Sequence, residues 1–468
     1  MGLLGRIFGR TTASATLPTT TNRRAEPSWS PPADERFVVV DVETTGLSPY
    51  KHRVLELALL TVTPHGQVVD EFTTRFNPEC PVGPTYIHGI TERDVHGAPL
   101  FRDVAPLLAH RLAGAAVVAH NASFDLAFLR EEYQRAGWRM PRVEAFCTLE
   151  ASQYYLPHLS RRTLADCCQH SGVQLANAHS ALGDARATAE LLRYYLDPQR
   201  DPRPRGEDLM VLRRACSVSW PTGPSSPPIP YTPPPETLPR WASKPPKVKS
   251  PALAEMVSRF SLERAIRDGA QPSMIAYLEK LAEVMADGVL TEEEQSDLAD
   301  LERAFEFSSE MVQQANRSFL LALAHEALED GRVSQAERSE LKKLAAMLGV
   351  DEKLIPKLLK AAESDRLVRL SADLPPLPAW WSLGEPLRVG DRVVFTGCDD
   401  EERAILEGLS EKKGALVMSS VNKKTSLLVT DGSIHGNKLI AAQELGIRTV
   451  SPADFRTFLR YIQPADVG

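Results

Sequence analysis

Hydrophobic and polar positions in the N-terminal part of the chain follow the periodicity of strands. Residues 37–40, FVVV, are four consecutive apolar residues, a run typical of a buried strand. Residues 54–63 and 68–76 alternate as two strands joined by a turn would. Residues 115–119 form another short apolar run. The pattern therefore predicts a strand followed by a hairpin, and then a further strand.

Helical periodicity accompanies and follows these strands. Apolar residues recur every three to four positions in residues 103–112, 124–135, 163–170 and 180–196. The order of strands and helices predicts a mixed sheet flanked by helices. We expect this α/β domain to cover residues 36–197.

Residues 252–370 are helical throughout by the same criterion and contain a loose repeat. Gly288 and Gly331 each follow an aspartate in an Asp-Gly pair. In each copy a hydroxyl residue follows, with a glutamate three positions later: Thr291 with Glu294, and Ser334 with Glu337. This is a C-terminal glycine followed by a capping box, so each copy predicts a junction between two helices.

A calcium-binding loop is the alternative interpretation of this repeat. The glycine and the glutamate fall at the sixth and twelfth positions of an EF-hand loop. The third position, however, is Met285 in one copy and Leu328 in the other, and neither side chain can coordinate calcium. Helix capping is therefore favoured.

The remaining segments complete the predicted organisation. Residues 390–462 read as βαββαβα with parallel crossovers, which predicts a small α/β domain. Proline-rich or polar stretches predict a disordered tail over residues 1–35, a Pro-rich linker over 198–251 and a Pro/Trp linker over 371–389. The predicted fold class is an α/β multidomain protein with an all-α middle domain.

The distribution of charge along the chain indicates which segments could contact a nucleic acid. The chain of 468 residues has a formal net charge of −7. Residues 252–370 contain 23 acidic and 15 basic residues, a net charge of −8, so the remainder is close to neutral. We expect any nucleic-acid contact to lie outside this acidic segment, which we assign to a protein partner or to regulation.

Cysteine spacing and hydropathy indicate the compartment. The six cysteines show no Cys-x-x-Cys spacing, which is typical of reduced thiols in a cytosol. No apolar run approaches the ~18 residues needed to span a bilayer, so we expect no membrane contact. The expected localisation is cytoplasmic, in a bacterial-type cytosol or nucleoid.

Acidic side chains follow the ends of the predicted elements in the N-terminal domain. Asp41 and Glu43 come directly after the first apolar run and point to one side, because side chains alternate along a strand. Asp125 lies in the first turn of a helix that follows another strand. His179 and Asp184 stand at the start of a later helix and can face one cleft if His179 lies in the loop before it. For each position taken alone, a structural role is favoured: Asp125 and Asp184 as helix-dipole partners, and His179 as a loop residue.

Taken together, these residues are what two-metal phosphodiester cleavage requires. Four carboxylates and one imidazole come from three element ends. Oxygen ligands suit Mg²⁺ or Mn²⁺, and two ions about 3.5–4 Å apart can activate a water and stabilise the leaving oxygen. A base that titrates near neutral pH must take the proton of the water, and histidine fits that requirement.

The same residues carry a resemblance to a known family. The chain contains three segments that resemble the three motifs of the DEDD exonuclease superfamily, histidine subclass. They are Asp41-x-Glu43, His120-Asn-x-x-Phe-Asp125 and His179-x4-Asp184. Within that superfamily the chain is most similar to the ε proofreading subunit of bacterial replicative polymerase. The resemblance covers about residues 36–197. It implies a ribonuclease-H-like fold and the 3′→5′ removal of nucleoside 5′-monophosphates.

The resemblance also implies roles for single residues. Asp41, Glu43 and Asp184 would hold the catalytic ion, Asp41 and Asp125 would hold a second ion, and His179 would be the general base. The residues expected near the 3′-terminal nucleotide are Thr44, Thr45, Gly46, Leu47, His88, His120, Asn121 and Phe124.

Two further resemblances concern the rest of the chain. Residues 274–355 resemble the tellurite-resistance (TerB-like) helical family. Residues 390–459 resemble a BRCT domain, in which phosphate-binding members use a hydroxyl, a backbone N–H and a lysine, here Thr396, Gly397 and Lys438. The alternative is that Thr396 packs in the core and Lys438 is solvated. Phe455 departs from the family pattern, since many members have tryptophan there.

The function these expectations favour is a metal-dependent 3′→5′ exonuclease in replication proofreading or repair. Its substrate would be single-stranded or frayed 3′ ends, with DNA favoured, and its BRCT domain would recruit a protein partner. One alternative is an RNA 3′-end trimming exonuclease on the same scaffold, because the sequence does not reveal how a 2′-OH is treated. A second alternative is a non-enzymatic scaffold that binds DNA ends.

Overall fold

The structure is a computed structural model that describes residues 35–220, 223–224, 240 and 248–465. The described residues from Glu35 onward belong to one compact unit. We divide its described residues into a sheet domain (35–220), a helical block (248–371) and a C-terminal domain (372–465). The predicted N-terminal tail, except Glu35, and most of the predicted Pro-rich linker lie outside the described residues.

A mixed sheet forms the centre of the sheet domain. Its described strands, in the spatial order β3-β2-β1-β4-β5, are β1 (Phe37–Thr44), β2 (Val54–Val62), β3 (Val68–Arg75), β4 (Ala116–Ala119) and β5 (Ala145–Cys147). β1 pairs antiparallel with β2 and parallel with β4. The predicted mixed sheet is confirmed. β5 was not predicted, because a strand of three residues is too short to show a period.

Helices cover both faces of this sheet. They are α1 (Thr85–His88), α2 (Glu92–Val95), α3 (Phe101–Leu112), α4 (Ala122–Arg135), α5 (Thr148–Tyr155), α6 (Leu164–Ser171), α7 (Ala181–Tyr195) and α8 (Gly206–Ala215). Val38 and Val40 belong to the core that includes Leu108 of α3, whereas Val39 belongs to the core that includes Leu192 of α7. Alternate residues of β1 are thus buried on opposite faces, which explains its unbroken apolar run.

Helix α8 extends the sheet domain beyond its predicted end. It lies inside residues 198–251, where a Pro-rich linker was predicted. Val211 and Leu212 of α8 are buried in the same core as Val39. The sequence did not show this short helix, because Pro198, Pro202 and Pro204 directly precede it and favour a linker there.

The helical block is all-α, as predicted. Its helices are α9 (Pro251–Ser258), α10 (Leu262–Arg267), α11 (Ile275–Val284), α12 (Glu292–Ala304), α13 (Ser309–Ala327), α14 (Gln335–Met347) and α15 (Ile355–Ser371), with short 3₁₀ turns at Pro272–Met274, Met285–Asp287 and Glu352–Leu354. Both predicted capping boxes are confirmed: Glu294 N–H donates to Thr291 Oγ1 (3.2 Å) and Glu337 N–H donates to Ser334 Oγ (3.1 Å).

The helical block lies directly against the sheet domain. Asp300 accepts a hydrogen bond from Ser48 Oγ (2.6 Å), and Asp297 lies 2.9 Å from Lys51 Nζ and 2.9 Å from His52 Nε2. Both aspartates are nearly buried. Part of the negative charge of the block is therefore paired with the loop that follows β1.

The C-terminal domain has a parallel sheet in the order β7-β6-β8-β9. Its elements are β6 (Arg392–Thr396), α16 (Asp400–Lys412), β7 (Leu416–Met418), β8 (Leu427–Thr430), α17 (Asn437–Glu444), β9 (Thr449–Val450) and α18 (Pro452–Arg460). The predicted order is confirmed. Trp381, from the predicted Pro/Trp linker, packs edge-on against Phe458 with ring centroids 5.3 Å apart, so the end of that segment belongs to this domain.

All six cysteines are free thiols. No helix in the described ranges has both the length and the apolar character that crossing a membrane demands.

Candidate active site

Three predicted carboxylates meet at the end of β1. The strand runs on to Thr44, past the predicted end at residue 40, so Asp41 and Glu43 lie on the strand itself. Asp184 comes from the first turn of α7. One ligand atom from each of the three carboxylates lies within 4.8 Å of the other two. The structure therefore brings three of the four predicted carboxylates together, and their role stays a prediction.

Asp125 adjoins this cluster from another direction. It lies in the first turn of α4, and its Oδ1 accepts a hydrogen bond from the Val42 N–H (3.1 Å), between the two acidic residues of β1. Only 4% of Asp125 is exposed. Its negative charge raises the pKa of Asp41, so all four predicted acids act on one small region.

The packing of the first turn of α7 against the loop that precedes it fixes the orientation of Asp184. A Cβ at Gly183 would lie 2.5 Å from the Ala176 carbonyl oxygen, so only glycine allows this close approach. Asp184 Oδ2 accepts a hydrogen bond from the His179 N–H (3.0 Å). Its other oxygen, Oδ1, is buried and has no hydrogen-bond partner. A buried carboxylate oxygen without a partner is what a cation ligand would present.

Burial and mutual repulsion raise the pKa values of these four carboxyl groups. Burial and, after it, the charge of Asp184 raise the pKa of Glu43 to about 8. Burial likewise raises the pKa of Asp125 to about 7 and that of Asp184 to about 6. The pKa of Asp41 lies well above its usual range, first through burial and then through its three acidic neighbours. A divalent cation would reverse these shifts, so the residues present fit such an ion.

These shifts predict how the stability of the metal-free chain depends on pH. The folded pKa values exceed the unfolded ones, so between about pH 4 and about pH 8 the folded state binds more protons and loses stability as pH rises. We expect Tm in EDTA to fall from about pH 5.5 to about pH 8, and saturating Mg²⁺ to reduce that fall. Thermal melts with Glu43→Gln as a control check this, since that variant should show a smaller fall. Parallel curves with and without Mg²⁺ would contradict it.

The predicted histidine lies beside the carboxylates. His179 immediately precedes the Ser180 cap of α7, in the loop position that the sequence required. It has a left-handed backbone (φ +62°), and its residue is exposed. Its backbone N–H, not its ring, makes the bond to Asp184. The ring is therefore at the surface of the site and accessible to solvent.

The loop after β1 is held by its own side chains. Thr44 Oγ1 donates to the Gly46 carbonyl oxygen (2.7 Å), and Thr45 Oγ1 accepts from the Arg53 N–H (3.0 Å). A Cβ at Gly46 would lie 2.6 Å from the His52 ring. Leu47 packs at the edge of the core. These contacts fix the backbone of the segment predicted to meet the terminal nucleotide.

Two predicted substrate residues instead make structural hydrogen bonds through their rings. His88 is 2% exposed; its Nδ1 accepts from the Ile90 N–H (3.0 Å) and its Nε2 lies 3.1 Å from the Val82 carbonyl oxygen. His120 Nε2 lies 3.0 Å from the Arg162 carbonyl oxygen. Burial lowers the pKa of each ring to about 4. Their contact with substrate stays a prediction.

Comparison with known proteins now adds the family. A family model described as "Exonuclease" matches residues 38–192, and the model of the BRCA1 C Terminus (BRCT) domain matches residues 391–458. The chain thus contains an exonuclease domain and a BRCT domain. The resemblance of the helical block to the TerB-like family is not confirmed and stays a prediction.

The relatives match about a third of this chain. A PolC-type DNA polymerase III from Oceanobacillus iheyensis is 37% identical over 161 residues, 34% of this chain and 11% of that protein. The 3′-5′ exonuclease DinG of Bacillus subtilis is 33% identical over 185 residues, 38% of this chain and 19% of that protein. The chain therefore spans about a tenth to a fifth of the length of these relatives.

Solved structures give a weaker likeness. E. coli exonuclease I in complex with a dA16 oligonucleotide aligns with a TM-score of 0.33 and 17% identity, over 36% of this chain and 42% of that one.

The helical block contributes a cation that the sequence did not reveal. Lys280 of α11 projects over the ring of Phe124 in the exonuclease domain, with Nζ 4.2 Å from the ring centroid. Nζ also donates to Glu283 Oε2 (2.8 Å). The positive charge of Lys280 lowers the pKa of Asp41, Glu43 and Asp125. No sequence motif signals this residue, because it lies about 100 residues beyond the last exonuclease motif.

Replacing Lys280 is expected to change how the nuclease rate depends on pH. Replacing it with methionine removes a cation near the carboxylates, so their pKa values rise and the acidic limb of the Mg²⁺-dependent rate moves upward by ~1 pH unit. Rates measured across pH for Lys280→Met and for the charge-preserving Lys280→Arg check this. An unchanged limb in Lys280→Met would show that the lysine charge does not act on the site.

Two more charged residues adjoin the site and were also missed. Glu56 of β2 is 1% exposed and pairs in register with Glu43. It forms an ion pair with Arg75 (2.9 Å) and another with Arg240. Arg240 is the only residue that the structure describes between residues 225 and 247. Glu56 had a sequence signal, since it is the one charged residue in the strand β2. Arg240 had none.

The predicted phosphate-binding residues of the BRCT domain lie close together. Lys438 Nζ donates to the carbonyl oxygen of Phe395, the residue before Thr396 (3.0 Å). Thr396 is 7% exposed, and Gly397 has a left-handed backbone (φ +69°). Lys438 therefore approaches the end of β6. Binding of phosphate by this group stays a prediction.

Proposed function

We propose that the chain is a metal-dependent 3′→5′ exonuclease that releases nucleoside 5′-monophosphates from 3′ ends of DNA. The observation that carries the proposal is the convergence of Asp41, Glu43 and Asp184, with Asp125 alongside, inside an exonuclease domain. The names of the relatives, a DNA polymerase and a 3′-5′ exonuclease, agree with the polarity and with DNA.

The carboxylates would bind Mg²⁺ or Mn²⁺. Asp41, Glu43 and Asp184 would hold one ion, and Asp41 and Asp125 a second. Such ions polarise the scissile phosphate and lower the pKa of an attacking water. The unpartnered Oδ1 of Asp184 and the raised pKa values of the cluster support this assignment.

His179 would be the general base. Its exposed position ahead of α7 gives the ring access to a water at the carboxylate cluster. The ring nitrogen that faces that water would take its proton, while the His179 N–H keeps its bond to Asp184. Proton transfer and carboxylate orientation are thereby assigned to two parts of one residue.

The strand terminus would lie between the β1 loop and α4. Thr44, Thr45, Gly46 and Leu47 would meet the terminal nucleotide with a backbone already fixed by hydrogen bonds. Phe124 would pack against its base or sugar. Lys280, over the same ring, would contact the negative backbone of the strand, so the helical block would form one wall of the cleft.

The BRCT domain would recruit a protein partner. Its place at the far end of the chain from the catalytic residues suits a docking role, and the partner would place the exonuclease domain at DNA ends. Thr396, Gly397 and Lys438 are the residues proposed to bind a phosphate on that partner.

A digestion time course on labelled single strands tests the proposal. Loss of 3′ label as mononucleotide, with gradual shortening of 5′-labelled strands, is expected in Mg²⁺ and none in EDTA. An RNA strand of the same sequence should be degraded more slowly; faster RNA loss would move the substrate to RNA. Release of 5′ label first, or equal activity in EDTA, would contradict the assignment.

A further inference from the structure

A second group of potential metal ligands lies in the helical block, away from the exonuclease residues. It consists of Asp268, which directly follows α10, His325 of α13 and Asp365 of α15. One ligand atom from each lies within 4.8 Å of the others. The end of α10 and the helices α13 and α15 therefore bring one ligand atom each to the same small region.

The imidazole at the centre of this group has no hydrogen bond at the nitrogen that faces the carboxylates. His325 is 6% exposed, and its Nε2 is buried without a partner. Asp268 Oδ2, 3.4 Å away, is also buried without a partner. Asp365 Oδ2 lies 3.8 Å from the same nitrogen. Buried polar atoms are nearly always hydrogen-bonded, so two facing atoms without partners require an explanation.

A bound metal ion accounts for both atoms. Ligands about 2.0–2.2 Å from a tetrahedral ion are separated from one another by roughly 3.3–3.6 Å. The separation of His325 Nε2 and Asp268 Oδ2, 3.4 Å, falls in this range, and that of Asp365, 3.8 Å, needs only a small movement of an exposed side chain. The separations are long for hydrogen bonds but suit two ligands of one ion.

We propose that Asp268, His325 and Asp365 bind a divalent transition-metal ion of the Zn²⁺ class. One imidazole nitrogen with two carboxylate oxygens favours zinc or manganese over Mg²⁺ and Ca²⁺, which take oxygen ligands. The fourth position belongs to water, because Asp365 is 69% exposed in its side chain and opens the group to solvent. The ion can thus enter from solution without unfolding the block.

The ion would tie the end of α10 to α13 and α15. These helices belong to the same block whose α11 carries Lys280 over the exonuclease site. Leu262 of α10 also donates its N–H to the Ser160 carbonyl oxygen of the exonuclease domain (3.1 Å). Metal binding would therefore stiffen the wall that the block presents to the cleft.

The test measures Zn²⁺ binding to the full chain in which the other site is disabled. In an Asp41→Asn/Asp184→Asn background, stripped with EDTA, calorimetric titration with Zn²⁺ should give one bound ion per chain. X-ray absorption should show one imidazole nitrogen among light-atom ligands at about 2.0–2.1 Å. Asp365→Asn, at an exposed position, should weaken Zn²⁺ binding at least ~10-fold, and His325→Gln should abolish it. Glu363→Gln, an exposed acid on the same helix, is the matched control and should bind as the background does.

Two outcomes would overturn the proposal. One is a background chain that binds no Zn²⁺, in which case His325 only contacts Asp268 and Asp365 and the group holds no ion. The other is Zn²⁺ binding that survives both Asp365→Asn and His325→Gln, which would place the ion elsewhere. Circular dichroism of each variant shows whether it folds. If His325→Gln does not fold, Asp365→Asn alone still tests the site. Neither outcome affects the exonuclease proposal, whose assay uses Asp41 and Asp184 intact.

Discussion

Replacing Asp41 with asparagine is expected to reduce nuclease activity by ~10²–10³-fold or more, the size of losing a group that stabilises charge in the transition state. The charges of the other three carboxylates all act on Asp41, because Asp184, Asp125 and Glu43 each raise its pKa. It is also the one acid proposed to bind both ions. An amide of nearly the same size removes the charge and one strong ligand oxygen, while the strand pairing of β1 is unchanged.

The measurement is the initial rate of mononucleotide release at saturating Mg²⁺, together with a Mg²⁺ titration. Asp41→Asn should weaken Mg²⁺ binding as well as slow the reaction, and excess Mg²⁺ should restore only part of the rate. It should also raise Tm at about pH 8 without metal, since it relieves repulsion among the carboxylates. Glu190→Gln, at a partly exposed acid on α7, is the control and should keep wild-type activity. A fully active Asp41→Asn chain would exclude the proposed metal site.

Most of the architecture that positions these residues could be predicted from periodicity. The apolar run of β1 predicted a buried strand because both faces of the sheet are covered. Asp41, Glu43 and Asp184 could be predicted to meet because strand alternation and helix starts are local rules that the fold does not override. Asp125 followed from the same reasoning. In each case a short stretch of chain determined the position of the side chain.

The parts that could not be predicted depend on contacts between distant segments. The net charge of the helical block suggested that it stands apart from the nucleic-acid site, yet Asp297 and Asp300 are paired with Lys51, and Lys280 lies over Phe124. A sum of charges does not say which side chains are neutralised by a neighbouring domain. The hydrogen bonds of the His88 ring could not be predicted either, because a motif position does not show which backbone groups lie near the side chain.

His179 carries the other large expected effect. Removing the imidazole should lower kcat by ~10²–10⁴-fold, the usual contribution of a positioned general base, with little change in KM. The choice of replacement matters here, because His179 has a left-handed backbone (φ +62°). Asparagine adopts that conformation far more readily than alanine, so His179→Asn removes the base and keeps the loop.

The two substitutions separate the base from the backbone. If the ring takes the proton, His179→Asn and His179→Ala lose kcat about equally, and His179→Asn binds Mg²⁺ as the wild type does, because the N–H bond to Asp184 is preserved. If instead the residue matters only for holding Asp184, His179→Asn keeps a rate within a few-fold of wild type and His179→Ala alone is impaired. Single-turnover rates with Mg²⁺ titrations for both variants decide between a chemical and a positioning role, since only a chemical role slows a site that still binds its metal normally.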